Sequence, residues 1–202
     1  VNDVTVIIPI FGDEDYWTPL AVRAQSSAWK QTVQPEAVVI SVADTLMEAR
    51  NRAAAAARTE WLCFLDADDE LDEHYIEKML EGTGDLRQPS TLGVVDGMED
   101  AFPVLIPAKP LLDGNYIVIG AFVNKATFDL AGGFTELPAY EDWDLWIRCW
   151  LNGAVITTCP EAIYRVHVQP SSRNQMDRDV ALRTYHFIRN RYTNRAQKLR
   201  VE

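Results

Sequence analysis

Three short apolar runs rich in β-branched residues constrain this chain more than any other feature: VTVIIPI at 4–10, AVVISV at 37–42 and WLCFL at 61–65. Each is apolar throughout instead of alternating, so each reads as a strand covered on both faces. Helical segments lie between them at 20–31 and 48–58, and the second, EARNRAAAAAR, has the highest helix propensity in the chain. Buried strands alternating with helices specify an α/β fold with a mainly parallel central sheet. A third helix is expected at 72–80, where Tyr75, Ile76, Met79 and Leu80 form an apolar stripe and Gly82 follows as C-cap. In the second half, strands are expected at 104–107, 117–123 and 154–157 and a helix over 141–151.

At 202 residues the chain fits one domain with a core of its own. No apolar run approaches the ~20 residues of a membrane span. The first residues lack the basic start and cleavage site of a signal peptide, so the expected compartment is the cytoplasm. Cys63, Cys149 and Cys159 are odd in number and form no CxxC pair. Neither a disulfide framework nor a zinc site is indicated, and buried apolar packing is expected for all three. The net charge of −11 argues against nucleic acid held on a general basic surface. That charge is uneven: from Arg173 onward the chain carries +5, and the preceding body −16. Residues 1–170 read as one unit and 171–202 as a basic helical tail, either a solvated helix end or a segment that touches an anionic surface or the acidic body.

The third apolar run ends in an acidic cluster, FLDADDE at 64–70. Ligands of parallel α/β sheets bind beyond the carboxyl ends of the strands, which is where Asp66, Asp68 and Asp69 fall. Carboxylates this crowded raise one another's pKa unless a cation neutralises them, and hard ions such as Mg²⁺ or Mn²⁺ favour oxygen ligands. Glu70 and Asp72 suit the start of the following helix, where acids complement the dipole. Asp66, directly after a buried strand, has no such explanation.

A second cluster, EDWDLWIR at 141–148, sorts on a helical wheel. Trp143, Trp146, Ile147, Cys149 and Trp150 form an apolar arc that includes Asp142, while Glu141, Asp144 and Arg148 lie opposite. Asp144 and Arg148 have the spacing of a surface ion pair. Asp142 on the apolar arc is either an N-cap or a carboxylate facing a cleft, where partial burial would tune it as a general base. Gly132 and Gly133 suit a turn of positive φ. Asp96, Glu99 and Asp100 read as loop charges, and His167, alone after a strand, as a structural residue or a ligand.

In order along the chain, VIIPIF at 6–11, QTVQPEAVVI at 31–40, ARNRA at 49–53, FLDADDE, AGGF at 131–134, EDWDLWIR and YRVH at 164–167 resemble inverting glycosyltransferase family 2. The resemblance implies a single GT-A domain (nucleotide-diphospho-sugar transferase, Rossmann-like). Its donor-nucleotide half is 1–110 and its acceptor and catalytic half 111–170. It implies that Pro9 and Phe11 border the nucleotide base, that Arg50 lies near the nucleotide or phosphates, and that Asp66, with Ala67 beside it, lies near the donor ribose. It further implies that Asp68 binds Mn²⁺ or Mg²⁺ on the donor diphosphate, with Asp66 and His167 as further candidate ligands. Asp142 corresponds to the catalytic base, Glu141 being the weaker candidate, and Arg173 is placed to bind phosphate oxygens.

One departure concerns the base. The family usually has an Asp after the second strand to bond a uracil; here Ser41 stands in that register, with Asp44 three residues later. A UDP-sugar is thus the default donor. The implied reaction is metal-dependent transfer of a sugar to an acceptor hydroxyl on a glycan, a lipid-linked sugar, a protein or a nucleic acid. A retaining transferase, a nucleotide-sugar-binding protein without catalysis and a haloacid-dehalogenase-like phosphatase are the alternatives. Oligomeric state has no signature in the chain.

Overall fold

The computed structural model describes residues 3–95, 98–101, 110–168 and 177–199. Strand β1 (Val4–Phe11) is buried over almost its whole length and lies between two parallel neighbours, β2 (Ala37–Ala43) and β3 (Trp61–Phe64). The crossovers are α1 (Glu14–Trp29) and α2 (Leu46–Ala56). Each starts at a side-chain cap: Asp13 accepts from the Tyr16 N–H, and Thr45 from the Glu48 N–H. Because Asp13 supplies that cap, α1 begins well before the expected residue 20 and runs through Pro19.

The chain then forms β4 (Glu70–Leu71), α3 (Tyr75–Glu81), β5 (Leu86–Val95) and β6 (Met98–Ala101), and after a 3₁₀ turn at Leu111–Asp113 come β7 (Phe122–Asn124), α4 (Lys125–Ala131), α5 (Glu141–Leu151), β8 (Ile156–His167) and α6 (Arg178–Leu199). Strand order is β2-β1-β3-β7-β5-β8-β4, with β6 paired to β5. The α/β class is as expected, with the long ladders parallel and shorter antiparallel pairs making the sheet mixed, not purely parallel. β7 runs antiparallel to both β3 and β5, and β4 antiparallel to β8, while β5 and β8 are parallel. No helix lies between the turn at Leu111–Asp113 and β7, so no crossover reverses the chain there.

Several expected elements move. The strand expected at 117–123 is only Phe122–Asn124, that at 154–157 extends from Ile156 to His167, and 104–107 lies outside the described residues. The helix expected from residue 72 begins at Tyr75. Glu70 belongs to a strand and does not lead the helix, whereas Asp72 sits just before it, accepting from the His74 N–H at 3.5 Å as well as from Arg165 at 2.9 Å. Gly82 is the C-cap, as expected. The three cysteines are buried and unpaired, and no described helix is long and apolar enough to cross a membrane.

Helix α6 packs against α5 and the 3₁₀ turn. Ile188 and Tyr192 are buried, Tyr185 stacks on Trp143 at 5.2 Å between ring centroids, and Arg189 pairs with Asp113 at 2.9 Å. The Asp144–Arg148 pair, expected at the surface, is covered by this helix. Asp144 is fully buried and accepts from Thr135 at 2.8 Å, Arg148 at 2.9 Å and the Tyr192 hydroxyl at 2.7 Å. Burial, together with Asp144, pushes the Tyr192 phenol up to about 12.

Close backbone approach explains one glycine near the cleft. A Cβ on Gly120 would lie 2.2 Å from the Tyr164 ring, and the Gly120 carbonyl accepts from Tyr75 at 2.5 Å. The Tyr164 hydroxyl in turn accepts from the Asp66 N–H at 3.1 Å. Gly120→Ala is therefore expected to destabilise the protein by about 1–3 kcal/mol through overpacking. Urea denaturation measures this, and a Tyr164→Leu background should relieve part of the loss.

Candidate active site

The carboxyl ends of β1 and β3, the first turns of α2 and α5 and the end of β8 enclose a cleft of about 740 Å³. Pro9, Phe11, Arg50, Asp66, Ala67, Asp68, Glu141, Asp142 and His167 all line it. Ser41 is buried within β2 and Asp44 is exposed beyond it, and neither lines the cleft. Arg173 and Asp96 lie outside the described residues.

Arg50 ties the two acidic motifs together. It sits on α2, is 2% exposed, and donates from Nη2 to Asp66 at 2.7 Å and from Nη1 to Glu141 at 2.9 Å. Burial works against the guanidinium charge, but Asp66 and Glu141 outweigh it and hold Arg50 above its ordinary pKa. Glu141 is thus buried against a cation and not on the outer side of its helix. The next residue, Asn51, brackets Phe134, donating to its carbonyl at 2.9 Å and accepting from its N–H at 2.8 Å. Gly132 and Gly133, with φ of 83° and 69°, make the turn that brings Phe134 there, and a Cβ on Gly133 would meet the Asn51 side chain at 2.7 Å. The ARNRA and AGGF segments are therefore one structural unit.

In the first acidic cluster the carboxylates have separate roles. Burial, and then the charge of Asp66, raise Asp68 to about 6; its backbone carbonyl accepts from Arg23 at 2.5 Å. Asp69 is buried and accepts from the His167 N–H at 2.9 Å, pinning the end of β8 under the cluster. Burial, followed by Asp66 and Asp68, holds it well above the ordinary carboxylate range. Glu70 lies 2.7 Å from His167 Nε2 and 3.7 Å from Arg23.

Across the cleft, α5 begins after Tyr140, a non-glycine residue at φ 58°. Asp142 is not the N-cap; it is the second residue of the helix. Its Oδ1 accepts from the Trp143 N–H at 2.7 Å and its Oδ2 from Asn115 at 2.8 Å. Burial and the neighbouring Glu141 raise it to about 6, with these bonds and Arg50 opposing. Trp143 and Trp146 are core residues, and the Trp143 indole donates to the Leu111 carbonyl at 2.7 Å. Asn115 has no local signal in the sequence, being a lone residue outside any motif, while Asn51 and Tyr164 fall within the ARNRA and YRVH segments without any sign there of what each touches.

Among the described residues, no three His, Cys, Asp or Glu side chains form a ready metal-ligand group. The donor chemistry nonetheless fits a hard divalent cation. Asp66, Asp68 and Asp69 crowd one edge of the cleft, where burial, and after it their mutual repulsion, raises the two later acids. Asp68 is the carboxylate of this set with neither Arg50 nor the end of β8 as its bonded partner.

Residues 36–121 match the model of glycosyl transferase family 2. The fold is similar to that of S. aureus TarS 1–349 in complex with UDP-GlcNAc, at a TM-score of 0.65 and 19% identity, over 87% of this chain and 61% of that one. The complex of the same protein with UDP gives a TM-score of 0.63 at 18% identity, over 83% of this chain and 61% of that one. The longer S. aureus TarS structure gives 0.62 at 20% identity, over 89% and 39%. The chain thus spans about three fifths of the TarS 1–349 structures and has their fold. No curated protein sequence matches it.

Replacing Arg50 by Met would leave Asp66 and Glu141 facing each other without a counter-charge. A loss of about 3–5 kcal/mol in unfolding free energy is expected. Arg50→Lys should recover only part of it, since one ammonium cannot reproduce the fork to two acids. Denaturant titration of both variants checks the ranking.

Proposed function

We propose, from a chain that carries a glycosyl transferase family 2 region at residues 36–121 in a GT-A fold, that it is a metal-dependent inverting glycosyltransferase acting on a nucleoside-diphosphate sugar. The observation that carries this reading is the Asp66–Arg50–Glu141 bridge, which holds the donor-side aspartates and Asp142 in one cleft. UDP-sugars are the first donors to test, since the TarS structures of similar fold hold UDP-GlcNAc and UDP. The acceptor is a hydroxyl.

Pro9 and Phe11, at the end of β1, would offer the base an apolar edge, and Asp66, held by Arg50, would meet the donor ribose. Asp68 would hold Mn²⁺ or Mg²⁺, with Asp66 and His167 beside it, although His167 is engaged with Glu70. Such an ion stabilises charge on the departing diphosphate. Asp142 removes the proton of the attacking hydroxyl. Its two bonded donors fix the carboxylate and leave a lone pair on each oxygen for that proton. A single positioned base is what one in-line displacement needs, which favours inversion. The phosphatase alternative requires Asp66 as a nucleophile, and its ion pair with buried Arg50 disfavours that role.

A carboxylate held at about 6 is a base only above that pH. Nucleoside-diphosphate release with water as acceptor should therefore rise with pH through about 6 and then level off. Asp142→Asn should lower the rate by roughly 10²–10⁴-fold, with donor affinity nearly unchanged. A thermal-shift screen of nucleotide sugars, with and without Mn²⁺, tests the reading as a whole: one donor should raise the Tm in a metal-dependent way, and Asp68→Ala should remove that dependence. Stabilisation by none of the donors would overturn it.

A further inference from the structure

The basic C-terminal segment has no part in the chemistry described so far, yet it reaches the cleft. Arg178 and Ala181, in the first turns of α6, line the same cavity as Asp142 and His167. Among the described residues two arginines line that cavity. Arg50 is spent on Asp66 and Glu141, whereas Arg178 is exposed and has no salt-bridge partner among the described residues. The helix carrying it is fastened to the element that bears Asp142. Tyr192 bonds the buried Asp144 at 2.7 Å, Tyr185 stacks on Trp143, and Arg189 pairs with Asp113. Arg178 therefore sits at a set position on the cleft wall instead of on a loose tail.

The cavity is otherwise acidic. Asp66, Asp68, Asp69, Glu141 and Asp142 line it, and a diphosphate entering it meets repulsion that one cation at Asp68 offsets only on that side. We infer that Arg178 binds a phosphate oxygen of the nucleoside diphosphate, making α6 a wall of the donor site. The inference rests on the glycosyltransferase reading and assigns a role to the +5 segment. A guanidinium suits this task because its planar fork meets two phosphate oxygens at once.

Calorimetric titration of the full chain in Mn²⁺ with UDP and with uridine separates the outcomes. Arg178→Glu should weaken UDP at least about tenfold and leave uridine within about twofold, because the phosphate contact is replaced by repulsion while the nucleoside's contacts are untouched. The difference should shrink as salt is raised. Arg178→Lys should recover only part of the affinity, since an ammonium keeps the charge but not the two-pronged contact. Tyr192→Phe, which keeps the arginine but loosens its helix, should weaken UDP by a smaller factor. The ligand-free Tm of the Arg178 variants should match wild type, since the residue is exposed. Equal UDP affinity in wild type and Arg178→Glu would overturn the inference, as would parallel loss of UDP and uridine. Failure of wild type to bind either ligand would instead overturn the glycosyltransferase reading.

Discussion

A buried guanidinium is costly to hold without carboxylates around it, and Arg50 is 2% exposed. Its partners come from distant parts of the chain: Asp66, 16 residues on at the end of β3, and Glu141, 91 residues on at the start of α5. Neither wall of the cleft can separate from α2 without leaving a charge unpaired in the interior. The Phe134 ring, 5.0 Å from the guanidinium, closes the same site, and Asn51, one residue along α2, bonds both sides of the Phe134 backbone. One turn of helix thereby fixes the relative positions of three motifs.

The same arrangement sets the electrostatics. On each wall an acid bonded to Arg50 sits beside a second acid that is not: Asp68 follows Asp66, and Asp142 follows Glu141. Burial raises both second acids to about 6, and the neighbouring charge adds to it. Two carboxylates with matching shifts thus face one cavity. Their surroundings differ: Asp142 is held by Asn115 and the Trp143 N–H, whereas Asp68 lies in the crowded acidic turn after β3.

Much of this was legible along the chain. The runs at 4–10, 37–42 and 61–65 became β1, β2 and β3 because uninterrupted β-branched sequence has few stable alternatives to a buried strand. Helical phase put Asp142 on the apolar arc, but it also put Asp144 and Glu141 outside, and both are buried. The misplacements have physical causes. β5, with Arg87, Gln88, Ser90 and Thr91, shows no apolar alternation and is a strand because β8 pairs along it. Glu70 looks like a helix-leading acid until β8 arrives beside it and His167 takes its carboxylate. Asp144 looks like half of a surface pair until α6 covers it.

By itself, then, the sequence determined the class of fold and the strand end at which carboxylates gather. These follow from side-chain volume, branching and helical period, which act over a few residues. Only the tertiary structure decided that Arg50 bridges the two motifs, that Asn115 holds Asp142, that the sheet is mixed, and that the basic segment lies against the cleft. Each of those depends on contacts between groups far apart in the chain, whose energy comes from burial and charge pairing that no local pattern encodes.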